Sequence, residues 1–508
     1  MSTNQKPNFS NLSLDFLGEE FEYIAKIDKV IQTSGPTLFK LNDGSGILTA
    51  KAFVGPGERA YPEIDCEDVI KVSLSIKSYN DELEASIENI KKINPESFEN
   101  KLEKILKEKS KITIDDTLIE TENYNKLNKV FKKTAYQIKK AIFSSRPIII
   151  KHHNDCDGYC AGVSLERSIL PLIEEQHGSN DVWKYYERSP SKSPYYDYTD
   201  SLRDLSRLLK NSERFNEKKP LIILTDLGSS IENKLSLELL SIYDVDFIVI
   251  DHHPGDFEIT NKISKVHVNP HKVNASSNIT AGMLSFEISR FINPGCNNPL
   301  LPVLSGIGDR SSCKEFDKYL NLLNSKNDFD MDFLQKYVSV IDFQAYHLRF
   351  IESRYMIDDL LGNDYEKQKE MINLIYPSIE KKVKNACDAA INFVEKEELG
   401  NSNLFKVKIN EVSHRGYPKS GHIVGVLKDR ITKENNNVIT IGKSDDMIIF
   451  RASDDSNFKL HEFIKILKNN VPESLVEGGG HEKAGTIKFL PASKEKVFTE
   501  LKKYLLSI

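Results

Sequence analysis

Residues 148–162 read IIIKHHNDCDGYCAG: three isoleucines run into two histidines and two aspartates, and a glycine then opens a new segment. The same transition recurs in PLIILTD at 220–226 and in VDFIVID at 245–251, which continues into HHPGD. Short apolar runs alternating with helix-like stretches predict a parallel sheet buried on both faces, an α/β domain. In open sheets of this kind the ligand crevice lies at the carboxyl ends of the strands, and the charged residues fall there. Residues two apart in an extended chain face the same way, so His153, Asp155 and Asp157 can point into one crevice with Asp226, Asp251, His252 and His253. A single aspartate at a strand end is more often a cap or turn residue; three such clusters together point to a prepared ligand set. Carboxylates so close would raise one another's pKa unless cations sat between them. Mixed carboxylate and imidazole ligands suit manganese (Mn2+), magnesium (Mg2+) or a similar divalent ion. The six cysteines are scattered without a CxxC pair, so neither a disulfide framework nor a zinc ribbon is expected, and Cys156 and Cys160 read as small packed residues beside the site.

Outward from this core, 508 residues are enough for roughly three to four domains. Residues 16–95 alternate as five short strands around the turns NDGSG and GPGERAYP, predicting a small β-barrel, and the glycine-bearing turn LNDGSGILTAKAF resembles that of oligonucleotide-binding (OB) folds, which implies an OB-like barrel that binds strands across one face. Phe39, Phe53 and Tyr61 are its candidate stacking residues. A lysine-rich helical linker is expected over 96–145, the α/β catalytic domain over 146–330, a helical connector over 331–400 and a smaller α/β domain over 401–508. The tyrosines at 185, 186, 195, 196 and 198 lie in a Ser/Pro-rich insertion and read as ordinary packing rather than base stacking. The net charge of −6 gives no global nucleic-acid signature and leaves room for a local basic groove. The polar start and the lack of a long apolar run predict a cytoplasmic protein with no membrane contact.

The order HxDxDG (His153, Asp155, Asp157, Gly158), Asp226, DHH (Asp251, His252, His253) and SGIGDRS (Asp309) resembles the four motifs of the DHH phosphoesterases. EGGGHEKAGT (Gly478, Gly479, Gly480, His481), preceded by IIFRAS with Arg451, resembles the DHHA1 substrate-binding domain of RecJ-like nucleases and oligonucleotide phosphodiesterases. The resemblance implies two divalent metal ions, manganese foremost. His153, Asp155 and Asp226 would hold one and Asp157, Asp226, His252 and Asp309 the other, with Asp226 bridging. His152 is the second choice to His153, because the pyrophosphatase-like branch places its first histidine where this chain has Lys151. Asp251 would orient a histidine, and His253 would meet the phosphate or leaving oxygen. Arg451, the three glycines and His481 would bind substrate phosphate. An N-terminal barrel, together with HRGYPKSGHIVGVLKDR at 414–430, is similar to the archaeal RecJ-like branch. That implies a metal-dependent exonuclease on single-stranded DNA or RNA, with a weak lean to 3' to 5' polarity and the strand entering along the barrel. Its expected partners are single-stranded nucleic acid and replication or repair proteins such as a helicase. The alternatives are a phosphodiesterase for short oligonucleotides or dinucleotides and a Cdc45-like replication scaffold without catalysis.

Overall fold

The computed structural model describes residues 6–508 apart from 80–81, 192, 194, 216, 256, 326–328, 349–353 and 413–415. Strands β1 (Glu20–Gln32), β2 (Thr37–Asn42), β3 (Ile47–Ala52), β4 (Val69–Tyr79) and β5 (Glu82–Lys92) close into a barrel in the order β1-β2-β3-β5-β4. Alternation decides which side chains fill it: Ala25, Ile27, Phe39, Leu41, Ala50, Val72 and Leu74 are buried inside. Phe39 is thus a core residue, whereas Phe53 is 64% exposed. Helices α1 (Glu96–Lys109) and α2 (Glu122–Phe143) follow.

The second sheet is wholly parallel, in the order β10-β9-β8-β6-β7. Its strands are β6 (Ile148–His152), β7 (Tyr186–Pro190), β8 (Leu221–Thr225), β9 (Phe247–Ile250) and β10 (Val266–Val268). Every residue of β6, β8, β9 and β10 is buried, as continuous apolar runs require when helices cover both faces. Those helices are α3 (Cys156–His177), α4 (Tyr198–Phe215), α5 (Lys234–Ile242), α6 (Phe257–Ile263), α7 (Ala281–Ile292), α8 (Leu300–Gly308) and α9 (Lys314–Asn324). They continue as α10 (Met331–Leu348), α11 (Arg354–Leu360) and α12 (Tyr365–Ala390).

One apolar core draws on residues from Ile119 to Tyr417 and includes Tyr124, Leu127 and Phe131 of α2 and Leu334, Tyr337 and Ile341 of α10. The expected linker and connector are therefore packed parts of the core around the parallel sheet. Among the α2 lysines, Lys139 is buried and donates to the Lys111 carbonyl at 2.9 Å, while Lys132 pairs with Asp115. Tyr185, Tyr186 and Tyr196 are buried and Tyr198 is exposed, in keeping with packing rather than stacking.

The C-terminal sheet is mixed, in the order β11-β12-β13-β14-β16-β15. It comprises β11 (Glu395–Leu399), β12 (Ser402–Lys408), β13 (Val438–Lys443), β14 (Met447–Ala452), β15 (Glu477–His481) and β16 (Ala484–Lys488), with α13 (Ile409–Val412), α14 (Ser420–Ile431), α15 (Leu460–Asn470) and α16 (Lys494–Ser507). The sheet starts at Glu395, six residues before the boundary expected from the sequence.

The barrel docks where the parallel strands begin. Lys29 pairs with Glu217 and Lys40 with Asp181 (2.8 Å), just ahead of β8 and β7. Asp28, 4% exposed, accepts from Lys218 Nζ (2.6 Å), Ser145 Oγ (2.7 Å) and Asn42 Nδ2 (2.9 Å). A five-residue strand is about 17 Å long, so these contacts lie a full strand length from the carboxyl ends. The barrel therefore holds the amino ends of the parallel strands, opposite the carboxyl ends that carry the charged residues.

Candidate metal centre

At the end of β6 the chain must leave the sheet and start α3 at once. Asp155 caps the helix, its carboxylate accepting from Gly158 N at 3.0 Å. A Cβ on Gly158 would stand 2.2 Å from the His153 carbonyl oxygen, so only glycine lets this turn fold back on the strand. The cap leaves Asp157 in the first helical turn, pointing inward at 1% exposure. Its oxygens accept from Ala281 N (3.0 Å) and Gly282 N (2.7 Å) at the start of α7 and from Ser305 Oγ (2.5 Å). Asp226, the residue after β8, takes a left-handed φ of 58° and turns its buried carboxylate toward the same point. Asp309 ends α8 on the opposite wall.

Asp226 sits between two clusters. On one side His153 Nδ1 lies 2.6 Å from Asp155 Oδ2 and 3.5 Å from Asp226 Oδ2. On the other, His252 Nε2 lies 3.3 Å from Asp226 Oδ1, 3.3 Å from Asp309 Oδ2 and 3.7 Å from Asp157 Oδ2. His153, Asp155 and Asp226, and again Asp157, Asp226 and His252, bring their donor atoms within 4.8 Å of one another.

His252 Nδ1 donates to the Ser277 carbonyl at 2.7 Å, so Nε2 is the nitrogen directed at the three carboxylates and the one that a metal would take in place of a proton. Asp251 accepts from His253 Nδ1 at 2.8 Å and from the backbone amides of Ser229, His252 and His253, so it fixes the DHH turn and sets the His253 tautomer. His481 Nε2 approaches Asp309 at 3.7 Å, and its ring stands 4.9 Å from that of His253.

His152 is placed elsewhere. It is fully buried against Gly162; its Nδ1 donates to the His153 carbonyl (2.7 Å) and its Nε2 faces the Arg188 guanidinium (3.5 Å). Burial first and Arg188 second lower it to about 3, so it is neutral with both nitrogens engaged. Lys151 turns to Asp204 of α4 at 3.0 Å.

The electrostatics identify what the cluster lacks. Burial and then Asp226 push Asp157 up to about 7, and burial and then Asp157 push Asp309 well above the carboxylate range. At Asp155 burial is outweighed by His153, which holds the carboxyl below its ordinary range; at His252 it is outweighed by Asp226, Asp309 and Asp157, which raise the imidazole well above 6.5. Asp226 Oδ1 and His252 Nε2 are buried without a hydrogen-bond partner. Without a cation these groups can face one another in a dry site only by retaining protons, and a hard or borderline divalent cation among them would replace those protons and supply the bonds that Asp226 Oδ1 and His252 Nε2 lack. The donor set thus fits divalent cations. The cysteine beside it does not take part: Cys156 Sγ lies 3.5 Å from the Leu304 carbonyl.

The glycine run lies in β15, an edge strand. At Gly478 a Cβ would stand 2.4 Å from Thr486 O and at Gly480 2.5 Å from Ala484 O, so these two glycines are required by the close approach of β16; at Gly479 it would meet only Glu232 Oε2, at an ordinary 3.9 Å. Arg451 on β14 donates to the Phe450 carbonyl at 2.8 Å. Of the entry segment noted in the sequence, His414 and Arg415 lie outside the described residues; the rest forms α14 and the turn before it. The sequence reading missed the supports of the ligands: Ser277 for His252, and Gly282 and Ser305 for Asp157. None belongs to a motif. The only signal was the N-cap pattern Thr280-Ala-Gly ahead of an apolar helix.

The model of the DHH family, N-terminal domain, matches residues 147–307. An uncharacterized protein of Methanocaldococcus jannaschii is 31% identical, over 93% of this chain and 67% of its own length. A solved structure described as the DHH domain of a member of the s1p family of ribosomal proteins is 31% identical, covers 81% of this chain and 98% of its own, and superposes at a TM-score of 0.76. A structure of exonuclease RecJ bound to manganese aligns over 75% of this chain and 94% of its own at 14% identity and a TM-score of 0.47, too distant to carry function across. With a family model on the parallel-sheet core and two relatives above 30% identity over most of the chain, this protein belongs to the DHH family.

Proposed function

We propose that the protein is a metal-dependent phosphodiesterase acting on single-stranded nucleic acid, as an exonuclease of the RecJ-like type. One observation carries the reading: Asp226 is shared by two clusters of carboxylate and imidazole donors, and its Oδ1 and His252 Nε2 are buried without a hydrogen-bond partner. His153, Asp155 and Asp226 would hold one divalent ion, and Asp157, Asp226, His252 and Asp309 a second, with manganese or magnesium the fitting species. Bound there, such ions supply Lewis acidity and offset charge on phosphate oxygens.

The chain's own residues do the rest. Asp251 and the Ser277 carbonyl fix the two histidines of the DHH turn. With its Nδ1 held by Asp251, His253 presents Nε2 to the crevice, placed to meet a phosphate oxygen or the leaving oxygen. His481 closes the same space from the C-terminal domain, beside Arg451 on β14 in a fold that we read as DHHA1-like. The barrel's strand order is compatible with an oligonucleotide-binding fold, which favours a strand over a free dinucleotide as substrate. A Cdc45-like scaffold without catalysis is disfavoured because every ligand position carries a ligand-type side chain. The test is hydrolysis of bis(p-nitrophenyl) phosphate with manganese: the wild type should turn it over, and Asp226→Asn should lose at least about a hundredfold. Equal rates in both would sink the reading.

A further inference from the structure

The crevice has a basic wall that the ligand set does not use. Arg310 follows Asp309 directly and is held at a left-handed φ of 54°. Its guanidinium makes a two-pronged ion pair with Asp429 on α14, at 3.2 and 2.9 Å. The pair bridges the catalytic and C-terminal domains and is open to solvent, the side chains being 65% and 42% exposed. Opposite stands Arg451, which meets no carboxylate among the described residues; its hydrogen bond goes to the Phe450 carbonyl. It lies along the glycine side of α14, where a Cβ on Gly421 would stand 3.2 Å from its Nη2 and one on Gly425 3.8 Å from its Nε. Lys419 caps the same helix and His422 lies in its first turn. Burial and then Arg310 bring Arg451 down to about 10, and burial, Arg310, Arg451 and Lys419 lower His422. Arg310 and Arg451 therefore share one nearby carboxylate, Asp429, which is itself shared with Lys428 at 2.7 Å, while Lys419 is drawn to Asp155 and Asp342 and the lowered His422 is neutral. Cations gathered in this way call for an anion, as the carboxylates of the metal centre call for cations.

We propose that Arg310 binds a second substrate phosphate, adjacent to the one at the metal centre and held between Arg310 and Arg451, and that Asp429 occupies the Arg310 fork until that phosphate arrives. A guanidinium presents the same paired donors to phosphate as to carboxylate, so the exchange conserves its hydrogen bonds. An exposed ion pair gives way easily, being worth roughly two- to fivefold in an equilibrium. The inference rests on the phosphodiesterase reading and narrows its substrate to chains carrying at least two successive phosphates.

The test compares a dinucleoside monophosphate with a trinucleoside diphosphate in manganese. Asp429→Asn should lower KM for the trinucleotide roughly two- to fivefold and leave the dinucleotide and both kcat values unchanged. Arg310→Gln should raise KM for the trinucleotide alone, by roughly fivefold or more, and in that background Asp429→Asn should be silent. If Asp429→Asn raises KM, or if both substrates shift alike, the pair is only a clasp between domains and the proposal fails. Anisotropy with a labelled trinucleotide, in calcium under conditions that leave it intact, separates the two readings. Wild type that cleaves neither substrate, with the two variants shifting Kd in opposite directions, would remove the hydrolytic reading and keep Arg310 as an anion ligand. Kd values equal to wild type in both variants would remove Arg310 whatever the hydrolysis shows.

Discussion

Replacing Asp226 by Asn takes away one charge but should cost both cation sites, because its two oxygens face different clusters. Calorimetric titration with manganese should show about two equivalents in the wild type, none bound tightly in Asp226→Asn, and one lost in His153→Asn. His152→Gln should keep the wild-type stoichiometry, since both its nitrogens are engaged away from the centre. Loss of an equivalent in the His152 variant and not in the His153 variant would reverse the assignment. A separate prediction concerns acid. Burial holds His267 at about 4 and His177 at about 3, with Lys40 adding to the second. The unfolded chain takes up these protons near pH 6.5. Unfolding therefore binds protons between the two values, and the stability these groups contribute is complete above about pH 6.5 and falls as pH drops toward 4, by about 1.4 kcal/mol per pH unit for each histidine. Urea unfolding of His267→Gln should show a shallower slope in that window; an unchanged slope would contradict it. At this scale the sequence was informative for residues whose chemistry has no other use at a strand end, His153, Asp155, Asp157 and Asp226 among them. It could not rank His152 against His153, because that is decided by Arg188 on a neighbouring strand, 36 residues away in the chain.

Among the elements, the edge strand β15 separates packing from binding. Gly478→Ala and Gly480→Ala would drive a methyl group into the backbone of β16 and should destabilise the protein by about 2–3 kcal/mol or more, whereas Gly479→Ala has room and should fold as the wild type does. Thermal unfolding of the three variants checks this, and equal melting temperatures would refute it. The strands of the parallel sheet were legible as apolar runs ending in charge, since burial on both faces leaves little other composition. The roles of α2 and α10 were not. Amphipathic periodicity marks a helix but not its partner, and Tyr124, Phe131, Tyr337 and Ile341 read as well on a free-standing linker as in the shared core that they occupy.

In the whole molecule, barrel and metal centre stand at opposite ends of the strands of one sheet. Asp28 ties the barrel to the amino ends of that sheet, and Asp28→Ala, which strips Lys218 of its nearest acid, should cost about 3 kcal/mol in urea unfolding. Because the barrel docks at the far ends of the strands, a nucleic-acid strand that engages both must pass along the flank of the domain. KM should therefore keep falling as single strands lengthen to roughly ten nucleotides, and level off only beyond. Domain order was readable from the sequence, but docking was not, since it depends on Lys29, Lys40 and Lys218 meeting acids that no motif marks. The most direct test of the central claim is digestion of single-stranded DNA and RNA labelled separately at each end, with manganese, with chelator, and with the Asp157→Ala plus His252→Ala variant. The account predicts stepwise shortening from one end that requires the metal and disappears in the variant. Strands that are bound but stay whole under every metal tested would contradict it.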